Sequence, residues 1–255
     1  MRLEALLKFY APKSPNIGAT SPATGGDRMT ITDVMAAQGL VQSKAPLGFN
    51  LFLAKAGIQG PEAAIEMLAK IALEQVPQCD VINFLPDVQR AVVLDVVATM
   101  AYQDYSRSAA SERPCTCCNG EGFIEAEVFT MRAVTFGARE LEREEKREQV
   151  RLMCRECKGK KVISNACRCH GKGKVQDLEA TKAQGVPVWK ECDKCQGRGY
   201  SRLKFSAVLV GLQRVWPELK KTTAYNEIGP FFEMLVTRCH EEEARAEREL
   251  QGVTR

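Results

Sequence analysis

Four short stretches of the chain repeat a cysteine spacing that can do chemistry. Three read C-x-x-C-x-G: C-T-C-C-N-G-E-G at 115–122, C-R-E-C-K-G-K-K at 154–161 and C-D-K-C-Q-G-R-G at 192–199. A fourth, A-C-R-C-H-G-K-G at 166–173, keeps the glycines but sets its first Cys one place late. Two thiolates separated by two residues can meet one ion from a tight turn, and the glycines allow a backbone path whose amides point back at the sulfurs. Two such knuckles complete a tetrahedral four-cysteine zinc site with Zn–S bonds of about 2.3 Å. The four knuckles supply ligands for two Zn(2+) ions per chain. A closed four-thiolate site keeps no position for water, so the zinc is structural and not hydrolytic. Spacing alone leaves the pairing of knuckles open. In the fourth knuckle the second ligand is Cys169, which holds the repeat's position relative to Gly171, with His170 as the alternative. Cys117 is the spare of the first knuckle, Cys79 and Cys239 read as core thiols, and His240 as a surface residue at a helix end.

The rest of the composition argues against catalysis. Among 255 residues there are only two His, and no G-x-x-x-x-G-K-[ST], H-E-x-x-H or G-x-S-x-G occurs. The chain reads as a binding protein and not an enzyme. No run of about 18 apolar residues is present for a membrane span, and the N-terminal M-R-L-E-A-L-L-K-F-Y-A-P-K-S-P lacks a signal-peptide pattern. Eleven cysteines in a reducing cytoplasm fit metal ligands better than disulfides.

Charge is concentrated where the cysteines are. Residues 151–204 carry 14 Lys and Arg against 5 Asp and Glu, a net +9 in a chain whose total is +4. Such a segment is the footprint of a nucleic-acid binder, although zinc thiolate sites also attract cations for their own neutralisation.

The elements that must position these groups are mostly helices, and the expected fold class is mainly α. Residues 1–29 include a stretch rich in Pro, Ser, Thr and Gly that is expected to be flexible. A helical domain is expected over 30–112. Pro61 opens one helix, with Ile65, Leu68 and Ala72 on a common face. Pro86 opens another, in which Val92, Val93, Val96, Val97, Met100 and Ala101 recur at helical spacing, running through A-Y-Q-D-Y-S-R-S-A-A to end before Pro114. The Cys-rich region spans 113–200, with short β-hairpins around the cysteines. Its G-A-R-E-L-E-R-E-E-K-R-E-Q-V-R at 137–151 reads as an exposed, salt-laced helical arm. C-terminal helices over 201–255 follow. One at 203–215 carries Leu203, Val210 and Val215. Another starts near Pro230, buries Phe231, Leu235 and Cys239, and frays in H-E-E-E-A-R-A-E-R-E.

A knuckle that ends at Gly199 and Tyr200 delivers Arg202, Lys204 and Ser206 to a helix start, with Arg214 further along. Recognition helices read major-groove edges from their N-terminal residues, Arg or Lys to guanine being the commonest specific contact. Lys158, Lys160, Lys161, Lys172 and Lys174 would then bind phosphates, which set affinity and not sequence.

The knuckles resemble the zinc domain of the DnaJ co-chaperones, in which four such units bind two ions in nested pairing. No His-Pro-Asp helical domain and no β-rich substrate domain accompany them. A fuller resemblance is to the phage lambda type of late-gene antitermination protein Q of lambdoid bacteriophages. It is carried by the N-terminal M-R-L-E, T-D-V-M-A-A at 32–37, A-Y-Q-D-Y-S-R-S-A-A at 101–110, the first knuckle, C-D-K-C-Q-G-R-G-Y-S-R at 192–202 and L-V-T-R-C-H-E-E-E at 235–243. Residues 126–190 depart from that family and look like an insertion.

The family resemblance implies one zinc held by the first and last knuckles. Nested pairing then puts Cys115, Cys118, Cys192 and Cys195 on an outer ion, and Cys154, Cys157, Cys167 and Cys169 on an inner one. It implies a helix-turn-helix-like unit interrupted by the zinc region, its first helix ending at Tyr105 and Arg107 and its second over 203–215. It also implies a transcription antitermination factor in the host bacterial cytoplasm. Such a factor binds double-stranded DNA at a late promoter element, joins paused bacterial RNA polymerase through the sigma factor and the β flap, and carries it through terminators. The DnaJ likeness leaves an alternative, a zinc chaperone or thiol-exchange module using Cys117 or Cys169.

Overall fold

The computed structural model describes residues 1–10, 31–136 and 139–254. Of the expected flexible segment, 1–29, residues 11–29 lie outside them, and the first ten are not flexible: Leu3–Tyr10 is helical with Leu3 and Leu6 buried. The chain divides into two compact units, a helical one of residues 1–106 and 203–255 and an inserted one of residues 107–202.

The helical unit begins with α1 (Leu3–Tyr10), α2 (Ile31–Lys44), α3 (Pro46–Lys55), α4 (Glu62–Gln75), the short α5 (Asp80–Asn83) and α6 (Asp87–Tyr105). Helix α7 (Leu178–Gln184) belongs to the inserted unit. The helical unit resumes with α8 (Phe205–Val215), a single turn α9 (Lys221–Thr223) and α10 (Gly229–Val253). The β-branched run is helical because its apolar period is 3.6: Val93, Val97, Ala98 and Ala101 are fully buried on α6. Around them pack Ala64, Leu68 and Ala72 of α4, Val208 and Leu212 of α8, and Phe232, Leu235 and Cys239 of α10. Burial at about 25 cal/mol per Å² of apolar surface drives this assembly.

Three expectations about the helices need correction. Helix α6 stops at Tyr105, where Ser106 caps it through the carbonyl of Tyr102, well short of Pro114. On α8 the buried face is Val208, Leu209 and Leu212, while Val210 points to solvent. Helix α10 does not fray: Ala246 and Leu250 continue its apolar stripe and are fully buried against a second cluster. That cluster holds Leu3 and Leu6 of α1, Val34, Ala37 and Val41 of α2, and Phe49, Phe52 and Leu53 of α3. Charged residues in the last third of α10 hid a buried stripe at four-residue spacing. His240 is consequently mid-helix, exposed, with its ring 5.1 Å from that of Tyr105.

The path into and out of the insertion is held by polar contacts within each unit. In the helical unit the buried carboxylate of Asp104 accepts the amide of Leu203 at 2.5 Å. In the inserted unit Arg107 donates to the carbonyl of Ser201 at 3.3 Å.

The inserted unit is built from three two-stranded antiparallel sheets. Strand β1 (Glu112–Pro114) pairs with β4 (Val162–Ser164), β2 (Phe123–Phe136) with β3 (Arg139–Met153), and β5 (Lys174–Gln176) with β6 (Trp189–Glu191). The expected helical arm at 137–151 is therefore wrong. Its residues form most of β3, in register from Phe123 opposite Met153 to Phe136 opposite Arg139. Helical charge spacing was outweighed by β2, whose F-I-E-A-E-V-F-T alternates half-buried and exposed side chains at period two. A partner strand is what such a segment requires, and the Glu/Arg run supplies cross-strand pairs such as Glu125 opposite Arg151.

Candidate metal centres

The eight knuckle cysteines fall into two buried groups, and the knuckles pair in chain order. Cys115, Cys118, Cys154 and Cys157 form the first; Cys167, Cys169, Cys192 and Cys195 form the second. The nested pairing is corrected on two independent grounds. The first is sulfur geometry: Cys115 to Cys154 is 3.7 Å, Cys118 to Cys157 3.6 Å, Cys167 to Cys192 3.9 Å and Cys169 to Cys195 3.8 Å. A tetrahedron with 2.3 Å metal–sulfur bonds has edges of about 3.8 Å, so each group has the size a tetrathiolate ion requires.

The second ground is backbone reciprocity. In the first centre the amide of Cys115 donates to Lys161 O at 2.9 Å and that of Cys154 to Gly122 O at 2.9 Å. In the second, Cys167 donates to Gly199 O at 2.8 Å and Cys192 to Gly173 O at 2.8 Å. Each knuckle thus begins on the carbonyl at the end of its partner. The glycines make this approach possible. Gly122, Gly173 and Gly199 all have positive φ, and a Cβ on Gly173 or Gly199 would collide with the backbone of Gly197 or Gly171 in the paired knuckle. Lys161 takes the corresponding place in the second knuckle at φ 68°, without a glycine.

Two ribbons carry the chain between the paired knuckles. The β2–β3 ribbon returns the chain from knuckle one to knuckle two, and β5–β6 returns it from knuckle three to knuckle four. Outside the cysteines, β1–β4 flanks the first centre, and an isolated bridge between Ala166 and Tyr200 flanks the second.

Amides point at the thiolates as the glycine spacing implied. Gly122 donates to Cys118 Sγ at 3.1 Å, Gly173 to Cys169 Sγ at 3.3 Å and Gly199 to Cys195 Sγ at 3.3 Å. Backbone amides of Cys157 and Glu156 help pull the Cys154 thiol down to about 6, while burial pushes Cys195 up to about 11. His170 is exposed at φ 56°, next to the cluster that Cys169 enters.

The remaining cysteines divide by exposure. Cys79 and Cys239 are buried, and burial pushes Cys239 up to about 12. Cys117 alone of the eleven is exposed. In the metal-loaded protein, iodoacetamide at mildly alkaline pH is expected to modify Cys117, slowly because the hydrogen bond with Cys154 pushes its thiol up to about 11, and to spare the other ten, which peptide mass mapping would read. Labelling of Cys239 before unfolding would contradict its place under α10.

The candidate DNA contacts are placed as follows. Lys160 and Lys161 are exposed at the end of the second knuckle, and Arg107 and Arg202 are half-buried in the inserted unit. Lys204 stands at the N-terminus of α8, with Ser206 and Arg214 exposed along that helix. Ala207, Val210 and Gln213 share their face, a grouping that residue type alone does not mark. Their signal was helical phase, read from the buried Val208, Leu209 and Leu212.

Among the described residues no helix is long and apolar enough to cross a membrane. The family model of antitermination protein Q matches residues 23–109 and 161–247. All four cysteines of the second centre lie in the matched segments and all four of the first lie in the gap. The interruption thus falls at 110–160 and not at 126–190. The chain is 44% identical to the prophage antitermination protein Q homologue QuuQ of Escherichia coli K12. It is 33% identical to antitermination protein Q of Escherichia phage lambda and 32% identical to that of Salmonella phage P22. Each match covers the whole of both chains. The chain therefore belongs to the antitermination protein Q family, regulators of phage transcription and not enzymes.

Proposed function

We propose that this protein acts in the host bacterial cytoplasm by binding double-stranded DNA at a late promoter element. It then joins RNA polymerase paused there, through the sigma factor and the β flap, and renders it resistant to terminators. Family membership supports the antitermination role, and one surface of the helical unit supports the DNA reading. Helix α8 turns Ser206, Ala207, Val210, Gln213 and Arg214 to solvent on one face. These side chains match what base edges offer: Arg for guanine, Gln for adenine, Ser for either, and apolar Ala and Val for the thymine methyl. Val210 is 54% exposed and takes no part in the core, so packing does not account for it. In this reading α6 and α8 are the two helices of a helix-turn-helix-like unit, with the zinc-bearing insertion between them.

Each centre holds Zn(2+) in this proposal, because four soft thiolates at tetrahedral separations suit that ion and leave no open position.

Run-off transcription from a late promoter across a terminator, with and without the protein, tests the proposal. Full-length transcripts should appear only with the protein, and only when the promoter carries its binding element. Two variants separate the kinds of DNA contact. Arg202→Ala should cost about 1–3 kcal/mol and relax preference at one base pair. Lys160→Ala with Lys161→Ala should weaken all sequences alike and lower the salt slope by about 1–2. Equal, sequence-blind losses in filter binding would make Arg202 a phosphate contact.

A further inference from the structure

On the solvent side of the second metal centre, β5 and β6 present an exposed aromatic side chain, Trp189, that the duplex reading does not use. Val175, in the middle of β5, is half-buried and packs on Cys167, Cys169, Cys192 and Cys195. Its cross-strand partner Lys190 shares that face and is held by Asp177 at 3.3 Å. Strand alternation therefore turns Lys174, Gln176, Trp189 and Glu191 outward, and all four are exposed. Trp189 is 54% exposed on a strand of three residues, opposite Gln176 and adding nothing to a core. Lys172 Nζ lies 6.0 Å from its ring centroid. Lys174 is the diagonal neighbour on β5. Glu191 is the one acidic side chain on this face, with its carboxylate over the Gly197 turn.

An exposed indole flanked by two lysines, in the segment that holds the whole positive excess of the chain, has complementary chemistry in a polynucleotide strand. Bases in a duplex are covered above and below by their neighbours and offer only edges. An indole face can be used only by a base that is unstacked. We propose that Trp189, Lys172 and Lys174 form a binding site for single-stranded nucleic acid, one base stacking on the indole while the two ammonium groups contact adjacent phosphates. The site is separate from the face of α8 assigned to duplex DNA and stands whether or not that assignment holds.

The test uses the full-length, metal-loaded protein and fluorescein-labelled oligo(dT) and oligo(U) of about 12 nucleotides, followed by anisotropy. The wild type should bind at least one of them, and a preference between the two identifies the strand as DNA or RNA. Trp189→Leu should weaken binding by about 10-fold or more, and Trp189→Phe, which keeps a stacking face, by about 3-fold or less. Lys172→Ala with Lys174→Ala should lower the salt slope by about 1. Promoter-duplex binding should be unchanged in Trp189→Leu, so failure of this site and failure of the duplex reading give different results. No binding of either oligomer by the wild type overturns the proposal, as do equal losses in the Leu and Phe variants. If Trp189→Leu loses metal, the exposed lysine pair decides, and an unchanged salt slope overturns it.

Discussion

Cys115→Ser and Cys154→Ser are expected to give the same product: a chain with one metal ion, an intact second centre and an unfolded first. Cys192→Ser should give the mirror result, losing the ion held with Cys167 and Cys169 and keeping the first. Under nested pairing Cys115 and Cys192 would instead behave alike, so three single variants distinguish the arrangements. The effects should be large, since the binding energy of a structural tetrathiolate zinc, about 10–16 kcal/mol, is also the folding energy of its module. Native mass spectrometry counts the ions, and hydrogen exchange locates the damage. Amides of β5, β6 and the two late knuckles should lose protection in Cys192→Ser, while those of β1, β4 and the early knuckles keep theirs. Two ions in Cys154→Ser would remove the first centre altogether. Because the family match includes only the second centre, Cys192→Ser is the variant expected to abolish terminator read-through.

A second large effect should come from a single methyl group in the helical unit. Gly48 lies in α3 where that helix crosses α10, and a Cβ there would collide with the carbonyl of Glu242 and sit 3.1 Å from Cβ of Ala246. Neither helix can give way easily, because Leu47, Phe49 and Leu51 on α3 and Leu250 on α10 are all buried. Gly48→Ala is expected to destabilise the helical unit by about 3 kcal/mol, lowering its thermal midpoint by roughly 6–12 °C. Gly39→Ala is the matched control. Gly39 is also helical, in α2, but nothing lies within 4 Å of where its Cβ would be. That substitution should stabilise by about 0.5–1 kcal/mol, the ordinary helix gain over glycine. Circular dichroism melts of both variants check the pair of signs, and a neutral Gly48→Ala would mean α3 and α10 do not approach so closely.

The sequence announced the cysteines that cluster and concealed how they pair. Ligand identity lies in local spacing: two cysteines and two glycines define a knuckle wherever it occurs. Pairing depends on which knuckles are joined by strands, and the longest ribbon was disguised by its Glu/Arg run. E-L-E-R-E-E-K-R-E carries helical i,i+4 charge pairs, and only the period-two pattern of Ile124, Ala126, Val128 and Thr130 on the facing strand shows that it is not a helix. Helix α6 was legible because its buried residues outnumber the constraints of its β-branched side chains. The end of α10 was not, because Ala246 and Leu250 are too sparse among charges to register as a core stripe. The exposed face of α8 required the helical phase, which residue types around Val210 alone did not fix.

The clasp between Asp104 and Leu203 also bears on how the protein is made. Helix α6 is finished before any of the insertion exists, yet α8 and α10, which cover Val93, Val97 and Ala101, follow residues 107–202. At bacterial elongation rates of about 5–20 residues per second, the ribosome needs about 5–20 s to span that interval. During it the apolar face of α6 has no α8 or α10 to bury it, and the nascent chain holds its metal-binding thiols before its core can close. Metal capture by the two modules, which draws Cys115 to Cys157 and Cys167 to Cys195, shortens the tether between the waiting halves. With zinc in both centres as proposed, its scarcity during synthesis should appear as aggregation of the helical unit as well as loss of the metal centres.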